Sequence, residues 1–301
     1  MKIAVDAGHG SNTAGKRTPP MPYAIDIDGD GKIDIKKGEQ YREHYANVGV
    51  AYYLEQELKK CGFSTIRTGW NDKNASNDKD TSLTERQSTI KKEKCDYSVS
   101  IHFNAYGDGK TFNSAEGVGI YIHDKYPGKS EKLASTVLKY LLKGTTQKNR
   151  GVNKKSLAMC NCNSLGVKGA ILVEVAFMTN EREATKLMAN EKFWKESGVE
   201  ICKGICDYTG VKYIANASSI PTKTITKSSS KNDIKWMQEK LNSVLSGESF
   251  IPLTVDGVYG NKSRIAVLIY LEKLKENADG KNDGWQIDQT IIDALEQKKT
   301  K

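Results

Sequence analysis

Apolar positions recur along the first two hundred residues in two alternating rhythms. Short apolar runs predict strands over residues 2–7, 65–68, 97–104, 118–123 and 170–177. Between them, apolar residues at helical spacing predict helices over 43–60, 82–94, 129–143, 181–190 and 191–208. This alternation argues an α/β domain built on a largely buried sheet. Residues 211–231 lose periodicity, are rich in Ser, Thr and Lys, and contain Pro221, as a linker does. Beyond it, Ile234, Met237, Leu241 and Leu245 keep helical spacing, as do Ile265, Leu268 and Ile269, and a third short helix is expected over 287–295. The expected organisation is an α/β domain over 1–210, a linker over 211–232 and a small, mainly α-helical domain over 233–301.

Composition agrees with a globular chain. Of 301 residues, 38% are hydrophobic and 28% charged, enough for a real core. No run approaches the roughly 20 apolar residues of a membrane helix, so a membrane-spanning segment is not expected. The net charge of +9 favours an anionic partner. It is spread as +6 over residues 1–210, four lysines over 211–232 and −1 over 233–301. No basic helix or stripe emerges, so nucleic acid is not the expected partner. Six cysteines are too few to staple the chain. Cys160 and Cys162 read as ordinary loop residues, and Cys202 and Cys206, one helical turn apart, as part of a buried face. The opening Met1-Lys2-Ile3-Ala4-Val5-Asp6 reads as a strand, not a signal peptide, so the expectation is a chain made in the cytoplasm with reduced thiols.

Candidate chemistry is sparse and therefore legible. His9, in Asp6-Ala7-Gly8-His9-Gly10, follows the first strand, where α/β folds build their sites, and its flanking glycines allow close backbone approach. Ser98, Ser100, His102 and Asn104 alternate with Val99, Ile101 and Phe103, which puts His102 on a polar face near a second strand end. Asn47, Val50, Ala51, Leu54 and Leu58 make the inward stripe of the first helix. Glu43 lies one turn earlier on that stripe, whereas Glu55 should face solvent and His44 sits about 100° away. Glu174 interrupts the most apolar run in the chain. Burial there is costly unless the carboxylate is paired or bound to metal, and it raises the pKa toward the range of an acid/base catalyst. A structural ion pair is the alternative. Two histidines, one glutamate and a further acid describe a catalytic zinc site.

The order of motifs closely resembles the zinc-dependent N-acetylmuramoyl-L-alanine amidases, the type 3 amidases. The resembling pieces are Asp6-Ala7-Gly8-His9-Gly10, Glu43 with Asn47, Leu83-Thr84-Glu85-Arg86, Ser100-Ile101-His102-Phe103-Asn104-Ala105, Arg150-Gly151-Val152 and Leu172-Val173-Glu174-Val175. The resemblance implies a mixed twisted sheet flanked by helices, Zn2+ held by His9, Glu43 and His102, and Glu174 as catalytic acid/base. It also implies cleavage of the amide between N-acetylmuramic acid and L-alanine in bacterial peptidoglycan. Asn104 and Arg150 are expected to contact substrate. One departure is the long stretch between His9 and Glu43, where Asp26-Ile27-Asp28-Gly29-Asp30-Gly31-Lys32-Ile33-Asp34 has calcium-loop alternation. Lys37 stands where the bidentate glutamate belongs, so an acidic turn between two short strands is expected, with an isolated calcium site as the alternative. Glu39 is a competing ligand, although the stripe favours Glu43.

The tail resembles the small helical peptidoglycan-binding domain of wall hydrolases, through Ile234-Lys235-Trp236-Met237-Gln238-Glu239-Lys240-Leu241-Asn242 and Val255-Asp256-Gly257-Val258-Tyr259-Gly260. The stretch with Asp279, Gly280, Asp283 and Gly284 departs from it. The resulting expectation is a modular wall amidase that reaches peptidoglycan after lysis or through a membrane pore, as a phage or prophage endolysin does. A bacterial autolysin exported otherwise remains open. Rival readings are a zinc peptidase cutting within the stem peptide and a non-catalytic wall-binding protein.

Overall fold

The computed structural model describes residues 1–143, 145–214, 221, 223–246, 250–275 and 282–297. Its strands in the first unit are β1 (Lys2–Ala7), β2 (Ser64–Thr68), β3 (Tyr97–Asn104), β4 (Val118–Ile122), β5 (Asn149–Lys154) and β6 (Gly169–Phe177). They form one mixed sheet in the order β2-β1-β3-β6-β4-β5. Neighbours in β2-β1-β3-β6 are parallel, β4 turns antiparallel against β6, and β5 runs parallel to β4. Strand β5 is missing from the hydrophobic pattern because its residues, Asn-Arg-Gly-Val-Asn-Lys, include a single apolar side chain and it lies at the sheet edge. An edge strand has one neighbour and needs no apolar run.

Helices cover both faces. α1 (Glu43–Lys60), α3 (Ser130–Leu141) and α6 (Glu191–Thr209) share one core with Ile3, Val5, Val99, Ile101, Phe103 and Val173. α2 (Leu83–Lys92) and the single turn α4 (Cys162–Leu165) close the other face over Ala4, Ile90 and Ala170. Where α1 crosses α6, a Cβ on Gly198 would fall 2.7 Å from the backbone nitrogen of Leu54, so only glycine permits that approach. The helix expected over 181–190 is instead one turn, α5 (Glu181–Glu183), followed by π-helical Ala184–Met188. Ala189 N there donates to Ala184 O, five residues back, at 3.1 Å. Glu55 does not face solvent. Its carboxylate is buried against Arg67, with Nη2 at 2.7 Å, and Lys59, with Nζ at 3.1 Å. Cys160 and Cys162 sit in successive short helical turns, not in a loop, and are buried.

The chain between β1 and α1 makes an excursion whose two ends are fastened together. Arg17 and Arg42 form an antiparallel bridge, Thr18 N donates to Tyr41 O at 2.9 Å, and Glu43 N donates to Lys16 O at 3.0 Å. Farther out, Ile25 and Ile35 form a second bridge, so a single pair takes the place of two short strands. The acidic turn beyond it is capped internally, with Asp26 accepting from Gly29 N and Gly31 N, and Asp34 from Ile27 N.

Chain contacts separate residues 1–213 from a second unit over 214–301. In this unit α7 (Lys231–Val244), α8 (Asn261–Leu274) and α9 (Gln289–Glu296) enclose Trp236, Met237, Leu241 and Tyr270. β7 (Ile225–Thr226) pairs antiparallel with β8 (Gln286–Ile287). Part of the expected linker is therefore folded, with Ile225 fully buried, and Ile287 belongs to a strand, not to the last helix. The inward stripe of α8 is Ala266, Val267, Tyr270 and Leu271, while Ile265 is 55% exposed. Gln238 pins the turn at Asp256-Gly257-Val258, donating to Asp256 Oδ1 at 2.9 Å and accepting from Gly257 N at 3.0 Å. Residues 215–220 and 222 of the expected linker, with Asp279 and Gly280, lie outside the described residues.

Candidate metal and catalytic centre

Three strand or helix ends converge at the carboxyl edge of the sheet. β1 runs out into Gly8 and His9, β3 carries His102, and the first residue of α1 is Glu43. Glu43 lies between the two imidazoles, with Oε2 3.3 Å from His9 Nε2 and Oε1 3.1 Å from His102 Nδ1. The rings of His9 and His102 stand edge to face, 4.9 Å apart at their centroids. One ligand atom from each residue lies within 4.8 Å of the others. Two imidazole nitrogens and one carboxylate oxygen at this spacing fit zinc, whose open catalytic sites use three such protein donors. Burial pushes the Glu43 carboxyl up, but hydrogen bonds and charge from His102 and His9 outweigh it and hold it well below the usual carboxylate range. For His102, burial pulls the pKa down, and the hydrogen bond and charge of Glu43 with the charges of Glu174 and Asp6 reverse the sign and raise it.

The backbone is shaped for this cluster. A Cβ on Gly8 would lie 2.1 Å from His102 Cε1, so the β1 exit passes directly under the ring. His9 then takes a left-handed conformation, φ 64°, uncommon for a residue with a side chain. Arg86 of α2 fastens this turn, donating from Nη2 to His9 O at 2.6 Å and from Nη1 to Ala7 O at 2.7 Å. The same guanidinium reaches Asp6 at 3.1 Å and Asp80 at 3.0 Å, and Asp6 also accepts from Thr68 and Ser100. Asn47 Nδ2 donates to Gly8 O at 3.0 Å, one turn below Glu43.

Glu174 is the register partner of His102 on the adjacent parallel strand, so the two side chains leave the sheet on the same face. Its Oε2 is buried with no hydrogen-bond partner. Burial pushes its carboxyl up, the charge of His102 offsets part of this, Glu43 adds to it, and the pKa reaches about 7. Glu183 shows what a structural buried carboxylate looks like here. It accepts from Phe177 N at 2.7 Å, Gly117 N at 3.0 Å and Gln147 Nε2 at 3.1 Å.

The structure thus brings His9, Glu43, His102 and Glu174 together. Asn104 and Arg150 line one cleft of about 380 Å³ with Glu174, Tyr106, Asn153 and Lys155. Arg150 Nε donates to Glu116 O at 2.8 Å, and its guanidinium lies 4.8 Å from the Phe177 ring centroid. A second cleft, of about 430 Å³, opens over His9 and His102 toward Ser82 and Met159. Glu39 takes no part; it accepts from Lys36 N in the excursion. The two nitrogens of His44 are spent on Gly8 O and Asp78, and His123 Nδ1 accepts from Lys125 N and Tyr126 N. Tyr106, Asn153 and Lys155 on the cleft rim carry no signal in the sequence, since exposed polar residues in loops and edge strands look alike.

Residues 3–207 match the family model Amidase_3, N-acetylmuramoyl-L-alanine amidase, and the chain belongs to that family. Those residues form an amide-hydrolysing enzyme domain. Among solved structures, an N-acetylmuramoyl-L-alanine amidase from Clostridium difficile 630 is 23% identical, covers 70% of this chain and 98% of its own, and superposes with a TM-score of 0.53. The catalytic domain of CwlV, the N-acetylmuramoyl-L-alanine amidase from Bacillus (Paenibacillus) polymyxa var. colistinus, is 22% identical over 70% of this chain and 99% of that one, with a TM-score of 0.52. At these identities the likeness speaks for the fold. A curated relative, an uncharacterized 38.4 kDa protein of Clostridium perfringens, is 29% identical over 140 residues. That match spans 46% of this chain and 39% of the relative.

Proposed function

We propose that this protein hydrolyses the amide between the lactyl group of N-acetylmuramic acid and the L-alanine of the stem peptide in bacterial peptidoglycan. His9, Glu43 and His102 would hold Zn2+, and Glu174 would carry the proton. The supporting observation is the pairing of a three-donor cluster with a neighbouring carboxylate, Glu174, whose buried oxygen has no hydrogen-bond partner. Bound zinc supplies a Lewis acid that polarises a carbonyl and acidifies water.

The remaining work belongs to the chain. Glu174, with its carboxyl near pH 7, can take a proton from the attacking water and return it to the departing L-alanine nitrogen. Arg86, Asn47 and the Gly8 turn hold His9 and Glu43 in place. Arg150 and Lys155 bring cationic hydrogen-bond donors to the cleft beside Glu174, suited to the carboxylates and carbonyls of a stem peptide.

The unit after residue 213 is the wall-binding part of this proposal. Its exposed Ile251, Val258 and Ile265, together with Trp285 beneath Lys227 at 3.3 Å, offer apolar and cationic surface to a glycan-peptide polymer. Among the described residues no helix is long and apolar enough to cross a membrane. The role that fits is that of a wall-lysing enzyme acting after release from the cell, as an endolysin does.

The test is a turbidity and product assay on purified Gram-positive peptidoglycan, with chelator and with zinc restored. Zinc-dependent release of peptides beginning with free L-alanine is expected. A different new amino terminus would make the protein a stem-peptide peptidase, and an intact wall despite zinc and wall binding would leave a binding protein.

A further inference from the structure

Cys61, Cys202 and Cys206 are far apart in sequence but share one buried spot. Cys61 caps the end of α1, and Cys202 and Cys206 stand one turn apart on the second half of α6. All three are buried, at 7%, 0% and 1% exposure. The sulfurs of Cys61 and Cys202 are 3.9 Å apart, and all three lie within 4.8 Å of one another. A metal–thiolate bond of about 2.3 Å puts ligand sulfurs about 3.8 Å apart in tetrahedral geometry and about 4.0 Å apart in trigonal geometry. One pair already has that spacing, and the triad needs a contraction of about 1 Å at most.

We propose that Cys61, Cys202 and Cys206 form a three-thiolate site for a thiophilic d10 cation of the Zn2+ or Cu+ kind, joining α6 to the end of α1 opposite Glu43. Buried thiols that serve only as small apolar groups look different in this same chain. Cys160 directs its sulfur to Tyr121 O at 3.4 Å, and Cys162 to Pro127 O at 3.1 Å with the Ser130 hydroxyl 3.6 Å away, so the partners of both are oxygens. The α1–α6 triad directs sulfur to sulfur instead. Soft sulfur donors select closed-shell thiophilic metals over the hard cations of solution. Metal binding exchanges thiol protons for metal–sulfur bonds and releases the protons to solvent, with no change of oxidation state.

The site can be read separately from His9, Glu43 and His102, because only sulfur ligands give a thiolate-to-metal charge-transfer band. The experiment titrates the full chain, kept reduced, with Cd2+ and follows that ultraviolet band. Wild type should show a band that saturates at one Cd2+ per chain, and the Cys160→Ala/Cys162→Ala double variant should keep it. Cys206→Ala should lose the band or weaken Cd2+ affinity more than tenfold while still hydrolysing peptidoglycan, which shows that it is folded. Cys61→Ala serves as the second variant where Cys206→Ala does not accumulate. Absence of the band in reduced wild type would overturn the proposal, as would a band of undiminished affinity in both triad variants. Competition against Zn2+-selective and Cu+-selective chelators then identifies which cation the triad prefers.

Discussion

Arg86 and His9, 77 residues apart, are joined by a 2.6 Å hydrogen bond from the guanidinium to the main-chain oxygen of His9. The same group neutralises the buried Asp6. Replacing Arg86 with Lys keeps one charge but loses the planar fork that serves Asp6, Ala7, His9 and Asp80 together. Arg86→Lys should cost about 3 kcal/mol of stability, because breaking a buried pair leaves carboxylate and carbonyl groups unsatisfied. Urea unfolding measures it, and zinc content after dialysis should fall with it.

Gly8 offers a narrower test. A methyl group there would meet Cε1, Nε2 and Nδ1 of His102 at 2.1, 2.3 and 2.6 Å, so the ring must move. Gly8→Ala should keep its circular dichroism spectrum, yet lose about a hundredfold in amidase rate, as displaced catalytic groups commonly do. An unchanged rate would remove His102 from the site.

The metal-free protein should have a pH profile set by its site. The raised Glu174 and His102 pKa values both favour the protonated folded state. Their effect on stability is fully favourable below the unfolded values and declines as pH rises through the folded ones. Stability in chelator should therefore increase as pH falls from about 8 toward the ordinary glutamate value of about 4.3. Glu174→Gln should remove much of this slope and stabilise the metal-free chain at pH 8 by about 3 kcal/mol, the free energy that goes with the shift of its carboxyl to about 7. It should also abolish turnover. Thermal melts across pH, paired with the peptidoglycan assay, check both halves.

Glu183 should behave in the opposite way. Its carboxylate binds three donors that Glu183→Gln cannot all satisfy, because one oxygen becomes a donor facing donors. The variant should lose about 2 kcal/mol of stability, the typical cost of a buried group left unpaired. Its rate per folded molecule should stay close to wild type. A rate collapse with intact stability would mean that Glu183 takes part in chemistry.

Expressed alone, residues 1–213 should fold and cleave soluble muropeptides at the full-length rate, since the core of this unit closes on itself. Sedimentation with insoluble wall should drop at least tenfold. Equal sedimentation of the shortened chain would assign wall binding to the first unit.

Much of this site could be read in the sequence because its residues break a pattern. Glu174 stands inside an apolar run, His102 on the polar face of an alternating strand, and Glu43 on the inward stripe of a helix, so each is conspicuous beside its neighbours. The same logic fails where nothing is interrupted. β5 has Val152 as its one apolar side chain, and Glu55 looks like an outward helical glutamate until Arg67, 12 residues on, folds back over it. Arg86 stands in a resembling motif and Cys202 and Cys206 read as a buried face, yet what these residues meet is hidden for a different reason. Their meaning lies in partners 77 to 141 residues away, and no local period records such a meeting. The π-helical turn at Ala184–Met188 likewise carries helical composition, and only the i to i+5 hydrogen bond distinguishes it.

The fastened excursion between His9 and Glu43 has a bearing on how such a chain can change over time. Its ends are locked by the Arg17–Arg42 bridge and the Glu43–Lys16 hydrogen bond, and Met21, Ile25 and Ile35 anchor its middle in the core, so only the exposed acidic tip is set apart from the site. Closing a loop of twice the length costs only about 0.6 kcal/mol more. Insertions, deletions or a grafted reporter near Gly29 and Gly31 should therefore be absorbed there without disturbing hydrolysis. That makes this segment a natural place for related chains to differ in length while keeping the same chemistry.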